Sequence, residues 1–122
     1  MSYRFEKLVV WQKAMDFCIN VYSKTRDFPK DELYGLTSQF RRAATSIPLN
    51  ISEGTACRTK KEFAHFLYIA LRSQYEVVTI LKLASRLKYL DNSKTMALEE
   101  EVAEIGKMLQ ALINSLEKKP DN

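Results

Sequence analysis

Residues 34–54 have the sequence YGLTSQFRRAATSIPLNISEG, and the spacing of their apolar side chains predicts one amphipathic helix. The apolar positions recur every three or four residues and form a single stripe: Leu36, Phe40, Ala43, Ile47 and Ile51. Pro48 lies inside this pattern, although an interior proline removes a backbone donor and costs a helix about 3 kcal/mol or more. The sequence therefore predicts a kink or a special local packing at Pro48.

Three further segments show the same helical spacing. The first carries its apolar stripe at Leu8, Trp11, Met15, Cys18 and Tyr22. The third opens on a capping-box pattern, Thr59 to Glu62, and continues with one apolar face: Phe63, Leu67, Ala70, Val77, Leu81 and Ala84. The fourth has the most regular stripe: Leu98, Val102, Ile105, Leu109, Leu112 and Leu116. The predicted helices span roughly residues 6–26, 32–56, 60–88 and 95–118.

Four amphipathic helices with short connections predict an all-α fold, an antiparallel up-down-up-down four-helix bundle that forms one domain over residues 1–122. The chain has 122 residues, 46% of them hydrophobic, so it can build a core. Further apolar residues lie beside or behind the stripes: Val9, Phe17, Val21, Phe66, Ile69, Val78, Met108 and Ile113. Such a wide apolar arc favours self-association. The alternative is a broad core with some exposed apolar atoms.

Charge is unevenly distributed along the chain. The net charge is +4, yet residues 1–90 carry 15 basic and 8 acidic side chains, whereas residues 91–122 carry 4 basic and 7 acidic ones. In a bundle this asymmetry would give one face or end a positive field that attracts polyanions. Alternatively, the acidic fourth helix neutralises its basic neighbours.

Five basic residues around helix two and the start of helix three form the candidate nucleic-acid site: Arg41, Arg42, Arg58, Lys60 and Lys61. Arginine guanidinium groups match phosphate geometry, and several such contacts produce salt-dependent binding. Arg41 and Arg42 are about 100° apart on a helix, so we expect one to be structural, bridging to Glu53 or Glu62, and the other exposed. A second, weaker patch lies at the end of helix three: Lys82, Arg86 and Lys88.

No other group of residues in the sequence indicates a catalytic or ligand-binding site. His65 is the sole histidine and lacks a catalytic partner at a recognisable spacing, and no catalytic, cofactor or metal site is predicted. Asn50 and Glu53 are expected to satisfy carbonyls freed by Pro48 or to hold Arg42. Trp11 is expected to be buried. Two cysteines and the lack of a long apolar run predict a reduced, cytoplasmic protein without a membrane segment.

Residues 34–54 resemble the signature of a bacterial protein family. These are the four-helix bundle proteins encoded in 23S rRNA intervening sequences, also called ribosomal S23-like. Matching features flank the signature: residues 8–11 (LVVW), Phe28-Pro29, and residues 63–70 (FAHFLYIA). The family is similar in fold to the accessory variability proteins of diversity-generating retroelements, barrel-shaped pentamers that work with a reverse transcriptase and nucleic acid. The resemblance therefore implies a ring, with five subunits as the expected number.

The chain departs from the family pattern on helix three. Arg72 precedes Ser73 where a small residue is usual, and Val78 stands where a second acid is usual. Both changes make this helix more basic. The leading hypothesis is a non-enzymatic, ring-forming protein that binds structured RNA or DNA through basic residues of helices two and three. The alternative is an oligomeric adaptor that docks a protein partner and has no affinity of its own for nucleic acid.

Overall fold

The computed structural model describes residues 2–118, which form four α-helices and no strand. The helices are α1 (Val9–Thr25), α2 (Leu36–Thr55), α3 (Lys60–Arg86) and α4 (Asn92–Glu117), and short 3-10 turns at Arg4–Lys7 and Lys30–Glu32 precede α1 and α2. Each helix packs antiparallel against its two neighbours, so α1 contacts α2 and α4, and α3 contacts the same two helices. The predicted all-α, up-down-up-down four-helix bundle is confirmed.

The core confirms the predicted stripe of α2, since all five of its apolar residues are buried. The predicted stripe of α1 is confirmed at Cys18, which is buried, but Leu8 and Trp11 are half-buried against the core and Met15 and Tyr22 are exposed. The main buried row lies one residue earlier, at Val10, Ala14, Phe17 and Val21. A shift of one residue turns a helix by about 100°. Because α1 has apolar residues on both rows, its periodicity cannot indicate which row faces the core.

The remaining predicted off-stripe residues also divide between core and surface. Phe17, Val21 and Ile113 are fully buried, and Val9 is 53% exposed. Phe66, Ile69, Val78 and Met108 are half-buried. No helix within residues 2–118 combines the length and the apolar character that crossing a bilayer requires.

Helix α2 begins at Leu36, four residues after the predicted start, because Gly35 interrupts the helix and residues 30–32 form a separate 3-10 turn. Glu32 fixes this start: its Oε1 accepts a hydrogen bond from the Leu36 amide at 3.1 Å. Its Oε2 accepts one from the Tyr89 hydroxyl at 2.9 Å, which raises the pKa of Tyr89. Glu32 therefore ties the α2 start to the connection between α3 and α4.

Helix α2 continues through Pro48, and a thiol compensates for the missing donor. Residue 48 has no N–H for the Ala44 carbonyl, and the Cys18 Sγ of α1 donates to that oxygen at 3.2 Å. Burial raises the pKa of the Cys18 thiol to about 11, so the proton stays in place at neutral pH. The prediction that Asn50 or Glu53 would satisfy this carbonyl was wrong, since Asn50 Nδ2 instead donates to the Ser46 carbonyl at 2.8 Å.

Two local features fix the ends of α3. At its start, the Thr59 Oγ1 accepts from the Glu62 amide at 3.1 Å. The Glu62 carboxylate accepts a hydrogen bond from the Thr59 hydroxyl at 3.0 Å and not from the Thr59 amide. Of the two bonds of the predicted capping box, only the one to the Thr59 side chain therefore forms. At its end, Lys88 adopts a left-handed conformation with φ of 64°, and the Tyr89 amide donates to the Ala84 carbonyl at 2.9 Å. This is a Schellman C-cap with lysine at the position that favours glycine.

Candidate nucleic-acid interface

The turn between α2 and α3 presents three of the five predicted site residues together: Arg58, Lys60 and Lys61. Arg58 and Lys61 are exposed, and neither side chain makes a hydrogen bond or ion pair among residues 2–118. Lys60 is half-buried. The turn also contains the amino-terminal end of α3, where amides without helical partners and the helix dipole favour an anion. The arrangement suits phosphate groups.

Arg4 lies at the same end of the bundle and was missed by sequence reasoning. Its guanidinium donates to the Thr55 carbonyl at 3.1 Å and lies 5.9 Å from the centre of the Phe63 ring. These contacts bring the first 3-10 turn onto the C-terminal end of α2, so they place a further positive charge beside the turn. Arg4 is 51 residues from Thr55, and no local pattern links the two.

Arg41 and Arg42 have different roles, as the sequence predicted. Arg41 Nε donates to the Thr25 hydroxyl at 2.9 Å, and the guanidinium stacks 4.6 Å from the centre of the Tyr22 ring. The structural arginine therefore fastens α2 to α1, and the predicted bridge to Glu53 or Glu62 was wrong. Arg42 is exposed. Thirteen helical residues separate Arg42 from the end of α2, a distance of about 20 Å, so the five predicted residues form two sites and not one.

Arg42 lines a polar cleft of about 370 Å³ between α2 and α3, together with Gln39, Ser46, Ser73 and Glu76. The two serine hydroxyl oxygens are 2.8 Å apart and hydrogen-bonded to each other. Sequence reasoning did not identify this cleft. Because the Glu76 carboxylate shares the cleft with Arg42, the local positive field is weaker there than at the turn. The turn therefore carries more basic side chains than the cleft.

The second predicted patch lies at the opposite end of the bundle and is partly neutralised. Lys82 Nζ lies 3.2 Å from Glu99 Oε2, whereas Arg86 and Lys88 are exposed. In the same way, Lys13 of α1 pairs with Glu104 of α4 at 3.0 Å. The acidic α4 thus neutralises individual basic neighbours, as the alternative interpretation of the charge asymmetry predicted, whereas Arg58 and Lys61 have no ion pair within residues 2–118.

The side chains of His65 and Trp11 pack against neighbouring aromatic rings. His65 packs edge-on against Phe66, with ring centres 5.7 Å apart, and Trp11 packs against Phe5 at 5.1 Å. Within residues 2–118, no three His, Cys, Asp or Glu side chains converge as metal ligands. Both cysteines are free thiols.

Comparison with known proteins agrees with this architecture. The profile of the family described as 23S rRNA-intervening sequence protein matches residues 6–111. A solved structure of a protein of unknown function from the S23 ribosomal protein family of Bacteroides thetaiotaomicron superposes with a TM-score of 0.78. The two chains are 26% identical, and the match covers 86% of this chain and 98% of that one. Among curated proteins, no sequence matches this chain.

Proposed function

The chain belongs to the 23S rRNA-intervening sequence protein family, and on this premise we propose that it is a non-enzymatic, ring-forming protein that binds structured RNA through the α2–α3 turn. The supporting observation is the exposure of Arg58 and Lys61 at the amino-terminal end of α3, where neither has an acidic partner among residues 2–118. Lys60 and Arg4 add positive charge to the same end of the bundle. The binding is electrostatic, so structured DNA of similar charge density is a second ligand of the same surface.

The proposed ring would supply the positive charge that one turn lacks. A single turn carries too few charges for tight binding, because the affinity and its salt dependence grow with the number of phosphate groups that the protein neutralises. A closed ring repeats the turn once per subunit around its axis and concentrates a modest charge into one field. We take the ring to be a homopentamer in the cytoplasm, a setting that suits the two free thiols.

A charge-reversal pair tests the proposed surface. The Arg58→Glu/Lys61→Glu variant should lose most of its affinity for a structured RNA hairpin, and the salt dependence of binding should become shallower. The matched control is Arg26→Glu/Lys94→Glu, which makes the same change in net charge at exposed positions on the opposite end of the bundle. Equal loss in both variants would show that overall charge, and not the turn, governs binding. Binding that is unaffected by either variant would refute the proposal.

The exposed apolar side chains of the bundle favour one alternative, an oligomeric adaptor that docks a protein partner. Leu49, Tyr75 and Ile19 are each more than half exposed, at 58%, 69% and 65%, and exposed apolar surface of this kind is typical of protein interfaces. An adaptor would show no affinity for the RNA hairpin or for duplex DNA at physiological salt. The hairpin titration above therefore separates the two functions.

A further inference from the structure

The polar cleft between α2 and α3 is built from two rows of side chains at helical spacing. On α2, Gln39, Arg42 and Ser46 follow one another at spacings of three and four residues. On α3, Ser73 and Glu76 are three residues apart. Each row therefore lies on one side of its helix, and the two rows face each other across a space of about 370 Å³. This volume is in the range of ligand-binding pockets.

Two serine hydroxyl groups form the floor of the cleft. The oxygens of Ser46 and Ser73 are 2.8 Å apart, and Ser46 Oγ also accepts a hydrogen bond from Asn50 Nδ2 at 3.0 Å. The two serines carry two hydroxyl protons, and the bond between them uses one. The second proton has no acceptor among residues 2–118. The floor therefore offers one hydrogen-bond donor to a group that enters the cleft.

Arg42 and Glu76 face each other above this floor. Arg42 comes four residues before Ser46, and Glu76 comes three residues after Ser73. Because α2 and α3 are antiparallel, both charged residues lie in the same direction from the serine pair, at a distance of about one helical turn. Both are exposed, and neither side chain forms an ion pair within residues 2–118. The cleft therefore presents a cation and an anion to the same inserted group.

A group that fits this set must carry acceptors on one edge and donors on the adjacent edge. Among the RNA bases, guanine has this pattern, because O6 and N7 accept on one edge whereas N1–H and the N2 amino group donate on the next. A guanidinium pairs with O6 and N7 through two parallel bonds, and a carboxylate accepts both donors of the other edge. Adenine has an acceptor nitrogen in place of the guanine N1–H, so the Glu76 carboxylate would repel it.

From this chemistry we infer that the polar cleft binds an unpaired guanine, with Arg42 on its O6/N7 edge and Glu76 on its N1/N2 edge. The assignment depends on the proposed RNA binding and names the base that the protein prefers. The guanine is unpaired, because in a duplex its partner base occupies the edge that Glu76 would contact. The cleft and the turn both lie on the α2–α3 side of the bundle, so one RNA can place phosphate groups at the turn and a base in the cleft.

Four hairpins that share one stem and differ at a single loop nucleotide test the inference. That nucleotide is guanosine, adenosine, inosine, which lacks the N2 amino group, or 7-deazaguanosine, which lacks N7. The wild type should bind the guanosine hairpin about tenfold more tightly than the adenosine hairpin. The two analogues should bind with intermediate affinity, because each of them leaves one protein group without its hydrogen bond. Fluorescence anisotropy at one fixed salt concentration measures the four dissociation constants.

Two conservative substitutions at exposed positions assign the preference to the cleft. In Glu76→Gln the carboxamide cannot accept both donors, so the guanosine and inosine hairpins should bind equally. Arg42→Lys keeps the charge and loses the planar fork, so the guanosine and 7-deazaguanosine hairpins should bind equally. Glu100→Gln is the matched control for Glu76→Gln, because Glu100 is an exposed residue of α4, a helix that does not contact α2 within residues 2–118. It makes the same change in net charge and should keep the wild-type preference.

Equal affinity of the wild type for all four hairpins would overturn the guanine site without affecting the proposed RNA binding. A preference that Glu76→Gln and Arg42→Lys both retain would also overturn it, since the base would then be read elsewhere. Arg58→Glu/Lys61→Glu should weaken the guanosine and adenosine hairpins by the same factor, because phosphate contacts carry no sequence information; a loss of preference in this variant would place the base at the turn and overturn the assignment. If no hairpin binds at low salt, the proposed RNA binding and the guanine site are both refuted.

Discussion

Replacing Cys18 by alanine should destabilise the protein chiefly through an oxygen atom on a different helix. The Ala44 carbonyl has no amide partner at residue 48, because that residue is proline, and the Cys18 thiol donates to it at 3.2 Å. In Cys18→Ala this buried carbonyl loses its donor. The substitution should therefore cost more than the loss of one sulfur atom from the core.

The magnitude follows from two contributions. Removing the buried Sγ loses about 1 kcal/mol of apolar burial, by analogy with one methylene group. Leaving a buried acceptor unsatisfied costs about 1–3 kcal/mol. The free energy of unfolding should thus fall by about 2–4 kcal/mol in total.

A double-mutant cycle with Pro48→Ala isolates the second contribution. An alanine at 48 restores an N–H that can donate to the Ala44 carbonyl, so in this background Cys18→Ala should cost only about 1 kcal/mol. The coupling energy between the two positions should then be about 1–3 kcal/mol. Urea unfolding at one protein concentration measures all four variants. Sedimentation checks that the oligomeric state is unchanged, since Cys18 also lines an apolar groove between α1 and α2, next to the exposed Met15 and Leu49.

Cys57→Ala provides the control for this cycle. Its thiol lies 3.7 Å from the Glu53 carbonyl, which already accepts the Ala56 amide at 3.2 Å. Cys57→Ala should therefore have little effect and should add to Pro48→Ala without coupling. If the effects of Cys18→Ala and Pro48→Ala add to within about 0.5 kcal/mol, the thiol does not replace the missing amide and the reasoning is refuted.

Three further predictions concern stability. Lys88→Gly should raise the free energy of unfolding by about 0.5–1 kcal/mol, because glycine accepts the left-handed conformation at φ of 64° without strain. Chemical denaturation that shows a lower free energy of unfolding would contradict this. Gly54→Ala should lower the free energy of unfolding by about 1–2 kcal/mol, although alanine has the better helix propensity. The reason is that a Cβ at residue 54 would lie 2.8 Å from the Phe63 ring and 3.0 Å from Phe66 Cβ. An unchanged unfolding midpoint would count against that contact. Raising the pH from 9 to 11 should destabilise the wild type by up to about 2–3 kcal/mol relative to Cys18→Ala. Burial raises the pKa of the Cys18 thiol from 9.0 to about 11, so between pH 9 and 11 the thiol ionises in the unfolded chain before it ionises in the folded one. Below pH 9 it is protonated in both states and contributes no pH dependence. If the free energies of unfolding of the wild type and Cys18→Ala change in parallel with pH, this linkage is excluded.

The helical stripes show where the sequence was sufficient for prediction. Helix α2 has one apolar row, so its buried face followed directly from the spacing of Leu36, Phe40 and Ile47. Helix α1 has two adjacent apolar rows, and the choice between them depends on where α2 and α4 pack. In the row that the sequence assigned to the core, Cys18 is buried, whereas Met15 and Tyr22 are exposed.

The site was partly predictable for a similar reason. The opposite roles of Arg41 and Arg42 followed from their adjacency on a helix, because side chains about 100° apart cannot share one environment. Their partners did not follow, since Thr25 and Tyr22 reach Arg41 through tertiary packing. The polar cleft had a sequence signal, the recurrence of Gln39, Arg42, Ser46 and Asn50 at spacings of three and four residues.

Native mass spectrometry of the wild-type protein with a structured RNA hairpin, recorded across a salt series, examines the ring and its binding together. We expect a ring of five subunits that carries the RNA at low salt and releases it as salt rises, because the proposed contacts at Arg58 and Lys61 are electrostatic. A ring that remains free of RNA at the lowest salt would contradict the proposed binding. A monomer under all conditions would contradict the ring itself.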